Sequence, residues 1–151
     1  ELVERANGVF AETTMRPYYA TLVCGKAERN GDIEICNAGH LAPLHLHDGQ
    51  VTPIPATGLP LGMFCHERYS ATKIHAGKGD RLLLYTDGLS EARNRDDVEY
   101  GKDRLQLMVN QLHGESTETL VKRVIDDGHL FAEGRPVTDD LTVMAIEMVG
   151  H

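Results

Sequence analysis

Residues 79–93 read Gly-Asp-Arg-Leu-Leu-Leu-Tyr-Thr-Asp-Gly-Leu-Ser-Glu-Ala-Arg, and this stretch constrains the fold more than any other. A turn pair, Gly79-Asp80, opens onto the run Leu82-Leu83-Leu84-Tyr85, which no polar residue interrupts. A short continuous apolar run bounded by turn residues predicts a strand buried on both faces. The strand ends in Thr86-Asp87-Gly88, which places a carboxylate at its exit, with a glycine behind it that lets the chain turn sharply. A carboxylate beside a buried strand end needs a partner, because a buried unpaired charge is costly. The plainer reading is an Asp that caps the next segment, as Asp-Gly pairs after strands commonly do.

The rest of the chain supplies the elements that such a strand requires. Residues 2–10 carry Leu2, Val3, Ala6, Val9 and Phe10 at helical spacing, predicting a short amphipathic helix. Residues 18–27 and 32–37 flank Arg29-Asn30-Gly31, a strong hairpin signal because Asn and Gly tolerate positive φ. A second hairpin is predicted where Leu44-His45-Leu46-His47 alternates, Asp48-Gly49 turns and Gln50-Val51-Thr52 returns. His45 and His47 fall on one face of it, which reads as a polar solvent face rather than a metal pair. Residues 53–64 are rich in Gly and Pro and predict a loop, and residues 69–75 a further strand. A helix is expected from Tyr100-Gly101 to about Leu112, with Leu105, Met108, Val109 and Leu112 on one face. Ser116 or Thr117 caps a second helix with Leu120, Val121, Val124 and Ile125 as its buried stripe. Residues 131–137 read as a loop holding Pro136, and residues 141–148 as a closing strand. Strands first and helices after predict one α+β domain over residues 1–151 with largely antiparallel sheets.

Composition narrows the function classes. The 151 residues, 41% hydrophobic and 25% charged, are those of an ordinary globular protein with a real core. The formal net charge of -8 argues against a nucleic-acid partner. No apolar run is long enough to span a bilayer and no signal peptide is evident, so no membrane partner is expected. The three scattered cysteines, Cys24, Cys36 and Cys65, fit buried thiols in a reducing, cytoplasmic setting. Eight histidines are present, yet their spacing gives no zinc signature.

A second acidic site, Thr138-Asp139-Asp140-Leu141-Thr142, stands at the start of the closing strand. If the organising and closing strands are antiparallel neighbours, Asp87 meets Asp139 and Asp140, and three carboxylates gathered on strand ends repel unless a cation lies between them. All-oxygen ligation points to Mg²⁺ or Mn²⁺. The alternative is that Asp139 and Asp140 simply begin the strand, exposed and solvated.

An ordered set of motifs then resembles the SpoIIE/RsbU-type branch of the metal-dependent (PPM) serine/threonine protein phosphatases. The set comprises Ala38-Gly39-His40; Gly58-Leu59-Pro60-Leu61-Gly62; Gly79-Asp80 with Tyr85-Thr86-Asp87-Gly88-Leu89 and Glu91-Ala92-Arg93; Tyr100-Gly101 with Arg104-Leu105; and Thr138-Asp139-Asp140-Leu141-Thr142. It covers nearly the whole chain from residue 19 onward. The resemblance implies a sandwich of antiparallel sheets flanked by helices, with a metal cleft at one end. It also implies two Mn²⁺ or Mg²⁺ ions that activate a water to attack phosphoserine or phosphothreonine directly. Asp87 and Asp139 would ligate one ion and carry catalysis, with Asp140 as a supporting group or occasional ligand. The Ala38-Gly39-His40 motif would be architectural, a tight approach with His40 hydrogen-bonded inside the fold, or, in the sharper alternative, His40 would act as a catalytic acid. Glu91 would support the metal loop or begin a solvated segment. The implied partner is a phosphorylated regulatory protein of the anti-sigma-factor-antagonist type.

The resemblance departs at one place. The family's first metal motif, resembling Gly-Asp-Val-x-Gly-x-Gly, does not occur before Tyr19. The expectation is therefore the C-terminal two-thirds or so of a phosphatase domain, lacking its early strands and the carboxylate that bridges two ions. At most one loosely held ion is expected, with little activity in these residues alone. An exposed sheet edge that favours a homodimer is expected too. The alternative function is a non-catalytic protein-interaction module.

Overall fold

The computed structural model describes residues 1–14, 18–135 and 139–149. Thr138 of the second acidic motif and residues 136–137 of the expected 131–137 loop lie outside the described residues. The elements in chain order are α1 (Leu2–Thr13), β1 (Leu22–Ala27), β2 (Asp32–Ala38), β3 (Leu44–His47), β4 (Gln50–Pro53), β5 (Thr72–His75) and β6 (Arg81–Tyr85). They continue with α2 (Asp87–Ser90), α3 (Lys102–Gln111), α4 (Thr117–Ala132) and β7 (Val143–Glu147). This is the expected α+β class, with two antiparallel sheets ordered β1-β2-β5 and β4-β3-β6-β7. The chain divides into two compact units that interleave in sequence: residues 1–42 with 54–76, and residues 43–53 with 77–151. Among the described residues no helix is long and apolar enough to cross a membrane.

The first unit holds α1 and the three-stranded sheet. Ile33 and Ile35 point one way from β2 and are buried, while Glu34 between them is exposed, the alternation of a strand with one covered face. Asn7 on α1 is fully buried: its Nδ2 donates to Phe64 O at 2.8 Å and its Oδ1 accepts the Gly62 amide at 2.8 Å. One side chain thus fastens the Gly/Pro-rich loop to the helix. Asn37 does the same for the Ala38-Gly39-His40 turn, with Oδ1 accepting the His40 amide at 2.8 Å and Nδ2 donating to His40 O at 3.1 Å. Gly39 has φ 69°, and a Cβ there would lie 2.4 Å from Pro60 Cδ. The motif is therefore a tight approach, as the resemblance implied, and His40 Nδ1 shares a hydrogen bond with Thr21 Oγ1 at 3.0 Å. Cys24 and Cys36 are opposed across β1 and β2 and half-buried, and Cys65 is exposed, so the cysteines are less buried than expected.

In the second unit β6 is an inner strand between β3 and β7, with Arg81, Leu83 and Tyr85 buried and Leu82 and Leu84 half-buried. The Asp48-Gly49 hairpin forms as read: both residues have positive φ, 47° and 71°, the signature of a type I′ turn between His47 and Gln50. Helix α4 packs on β7, and α3 packs on α4 and β4. Leu105, Val109 and Leu112 are buried from α3, as expected, with Met108 half-buried. Ser116 caps α4, its Oγ accepting the Thr119 amide at 3.2 Å. The buried stripe of α4 is Leu120, Val124, Gly128 and Ala132, with the expected Val121 and Ile125 only half-buried, and the helix extends through Phe131 and Ala132 where a loop was expected. Arg81, 5% exposed at the start of β6, donates to Glu115 O at 2.8 Å and to His113 O, pinning the strand to the segment between α3 and α4.

Candidate functional site

β6 and β7 are antiparallel neighbours, with Tyr85 opposite Val143, so the exit of one meets the entrance of the other. The junction is stitched by Thr86. Its amide donates to Thr142 O at 3.1 Å, its Oγ1 donates to Asp140 O at 2.7 Å, and that same oxygen accepts the Thr142 amide at 2.9 Å. A hydroxyl both donates and accepts, which allows one side chain to close both sides of the seam. Gly88 is packed against the other segment: a Cβ there would stand 2.6 Å from Asp140 O and 3.0 Å from Asp139 O. Only a residue without a side chain fits so close to that backbone.

Asp87 opens the single turn α2, and its Oδ1 accepts the Gly88 amide at 3.1 Å. Asp139 Oδ1 accepts the Asp140 amide at 2.8 Å. Asp87, Asp139 and Asp140 are all solvent-exposed. The chain segments bearing the three expected ligands are therefore brought together, while their carboxylates remain in water. They do not form a tight cluster: among the described residues the only group of three or more His, Cys, Asp or Glu with ligand atoms all within 4.8 Å of one another is His45, His47 and Asp80. A set of exposed oxygens beside a backbone cradle fits a hard divalent cation. Glu91 is exposed, and its amide closes α2 on Asp87 O at 2.8 Å.

Leu89 of α2 is fully buried beside Gly128, which leaves room for it, so the turn that carries Asp87 is anchored by packing. A second anchor lies past α2. Tyr100 is buried, its amide donates to Ala92 O at 2.8 Å, and its hydroxyl donates to Asp127 Oδ2 at 2.7 Å. Arg104 bonds both oxygens of Asp127 at 3.2 and 3.3 Å and lies over the rings of Tyr100 and Phe131, 5.1 and 4.7 Å from their centroids. Burial opposes ionisation of Asp127, but the hydrogen bonds from Arg104 and Tyr100 outweigh it and hold the carboxyl below the usual carboxylate range. Burial, with the hydrogen bond to Asp127 second, pushes the Tyr100 hydroxyl well above its ordinary value. Tyr100 and Arg104 thus tie this segment to α4, and Leu105 is fully buried.

The two histidines of the β3–β4 hairpin do not both face solvent. His47 is half-exposed, but His45 is buried, which corrects the reading of a common polar face. β3 is an inner strand of its sheet, between β4 and β6, and the alternation of the strand alone carries no sign of whether the face bearing the histidines is covered. Asp80, buried at the start of β6, joins them.

Comparison with known proteins places this architecture. A curated relative, "Protein IcfG" from Synechocystis sp., is 29% identical over 132 residues, covering 85% of this chain and 20% of that protein. The chain thus spans about one fifth of the length of the curated relative it matches. The solved phosphatase domain of the cell fate determinant SpoIIE from Bacillus subtilis, presoaked with Mn, superposes with a TM-score of 0.74. It shares 15% identity and covers 99% of this chain and 65% of that one. The RsbU and RsbW domains of Rv1364c from Mycobacterium tuberculosis give a TM-score of 0.74 at 21% identity, covering 98% of this chain and 41% of that one. At such identities the likeness is one of fold, a phosphatase-domain fold. The family model for stage II sporulation protein E matches residues 1–149, nearly end to end, and the chain belongs to the SpoIIE family.

Proposed function

We propose that the chain forms part of a metal-dependent protein phosphatase that hydrolyses phosphoserine or phosphothreonine, its substrate being a regulatory phosphoprotein of the anti-sigma-factor-antagonist type. The observation that carries this reading is the Thr86 seam, which holds Asp87 and Asp139 on adjoining strand ends. Family membership supports the reaction class, and the phosphatase-domain fold agrees with it. Asp87 and Asp139 hold the ion, with Asp140 supporting or joining them. Mn²⁺ or Mg²⁺, when bound, supplies a water-derived nucleophile and neutralises charge on the phosphoryl group. The chain's own contribution is orientation. The Gly88 and Asp140 amides each fix one carboxylate oxygen, and the buried Leu89 keeps α2 from drifting. That the three carboxylates form no tight cluster favours a second reading, a protein-interaction module without hydrolysis.

Calorimetric titration of Mn²⁺ into the 151-residue chain, beside Asp87→Asn and Asp139→Asn, separates the two readings. A single weakly held ion that either substitution abolishes supports the phosphatase reading. A chain that binds no Mn²⁺, or an Asp87→Asn variant that binds as well as the parent, sinks it in favour of the interaction module.

A further inference from the structure

At the end of β6 opposite Asp87, three side chains that the phosphatase reading does not use converge. β3 and β6 pair with Leu46 opposite Arg81, so the next step of the ladder sets His47 beside Asp80, with His45 two residues back on the same face. His47 Nδ1 lies 2.7 Å from Asp80 Oδ2, and His45 Nε2 lies 3.8 Å from that same oxygen. The His45 side chain is 10% exposed, and its Nε2 is buried without a hydrogen-bond partner. A separation of 3.8 Å is too long for a hydrogen bond. It is close to the spacing of about 3.4 Å between two ligands that share one tetrahedral ion at ~2.05 Å.

We propose that His45, His47 and Asp80 bind a divalent transition-metal ion of the kind that prefers imidazole, with Zn²⁺ as its type. Two imidazoles and one carboxylate suit Zn²⁺ far better than Mg²⁺ or Mn²⁺. The ion replaces the proton now shared between His47 and Asp80, and it gives the orphaned His45 nitrogen a partner. The groups that orient ligands in such sites are already in place. The Gly77 amide donates to Asp80 Oδ2 at 2.7 Å, and the far nitrogen of His47 lies 3.5 Å from the Asp48 carboxylate. Burial holds the His45 imidazole below its ordinary pKa, which keeps its lone pair available at neutral pH. His47 is half-exposed, so the fourth position opens to water. Asp87 lies seven positions beyond Asp80 along mostly extended chain, roughly 20 Å at strand rise, so the two sites are independent.

Zinc is titrated into the 151-residue chain against a chromophoric chelator, with thermal unfolding followed in parallel. One equivalent should bind and raise Tm. His47→Ala should weaken zinc at least about tenfold, as should His47→Gln, which can still hydrogen-bond Asp80 but offers no imidazole. The double variant Asp87→Asn/Asp139→Asn should bind zinc like the parent, whatever becomes of its Mn²⁺ binding. The proposal is overturned if the parent binds no zinc, if both His47 variants bind it equally well, or if zinc is lost in the double variant.

Discussion

Thr86 carries more of the candidate site than its size suggests. Thr86→Val keeps the shape but removes two hydrogen bonds, leaving the Asp140 carbonyl and the Thr142 amide without partners. At about 0.5–1.5 kcal/mol each, the variant should lose about 1–3 kcal/mol in urea unfolding, and its Mn²⁺ binding should weaken in calorimetry. Unchanged stability would mean that the seam does not hold the strand ends. The sequence made part of this legible. Asp87 and Asp139 stand out because a charge at the end of an apolar run has few ordinary uses. Thr86 did not stand out, since a threonine before Asp-Gly is unremarkable until its partner strand is known. Asn7 and Asn37 escaped for a related reason: a polar residue predicts exposure, and only the close approach of a loop turns it into a buried fastening. His45 shows the converse limit, because alternation along one strand says which residues share a face but not what covers that face.

Helices α3 and α4 are joined by the Tyr100, Arg104 and Asp127 cluster, whose parts come from separate segments. Asp127→Ala removes the partner of a buried hydroxyl and should cost about 1–3 kcal/mol at pH 7, read by denaturant unfolding. The carboxyl titrates lower in the folded chain than its ordinary value. Its contribution is therefore present above the unfolded pKa of about 3.9 and fades as pH falls through the folded value. The stability gap between parent and variant should accordingly narrow below about pH 4, and a gap that widens there would contradict the assignment. Element positions were legible where periodicity was strong, as in α3 and the Asp48-Gly49 hairpin. The end of α4 was not, because Phe131 packs edge-on against Tyr100, 5.4 Å between centroids, and this contact draws the helix past the point where its own pattern fades.

For the whole molecule, the fold class and the order of elements were readable, since the motifs are distributed along most of the chain. The division into two interleaved units was not, because no shift in composition marks residues 42–43, 53–54 or 76–77. One sheet ends in β1 and β5 and the other in β4 and β7; on β7, Met144 and Ile146 are 48% and 46% exposed. A strand at the edge of its sheet leaves backbone groups that another chain can pair with, so self-association is predicted. Sedimentation velocity should show a dimer growing with concentration, and a monodisperse monomer would end that expectation. Interleaving also sets an order of events during synthesis. The β3–β4 hairpin emerges from the ribosome well before β6, the strand that completes its sheet, and an isolated hairpin is marginal in water. Leu44 and Leu46 must wait through the intervening residues for the strand that buries them. The slowest step in folding is then expected to be closure of that long loop rather than formation of either helix, and no single cut in the chain can release one unit whole.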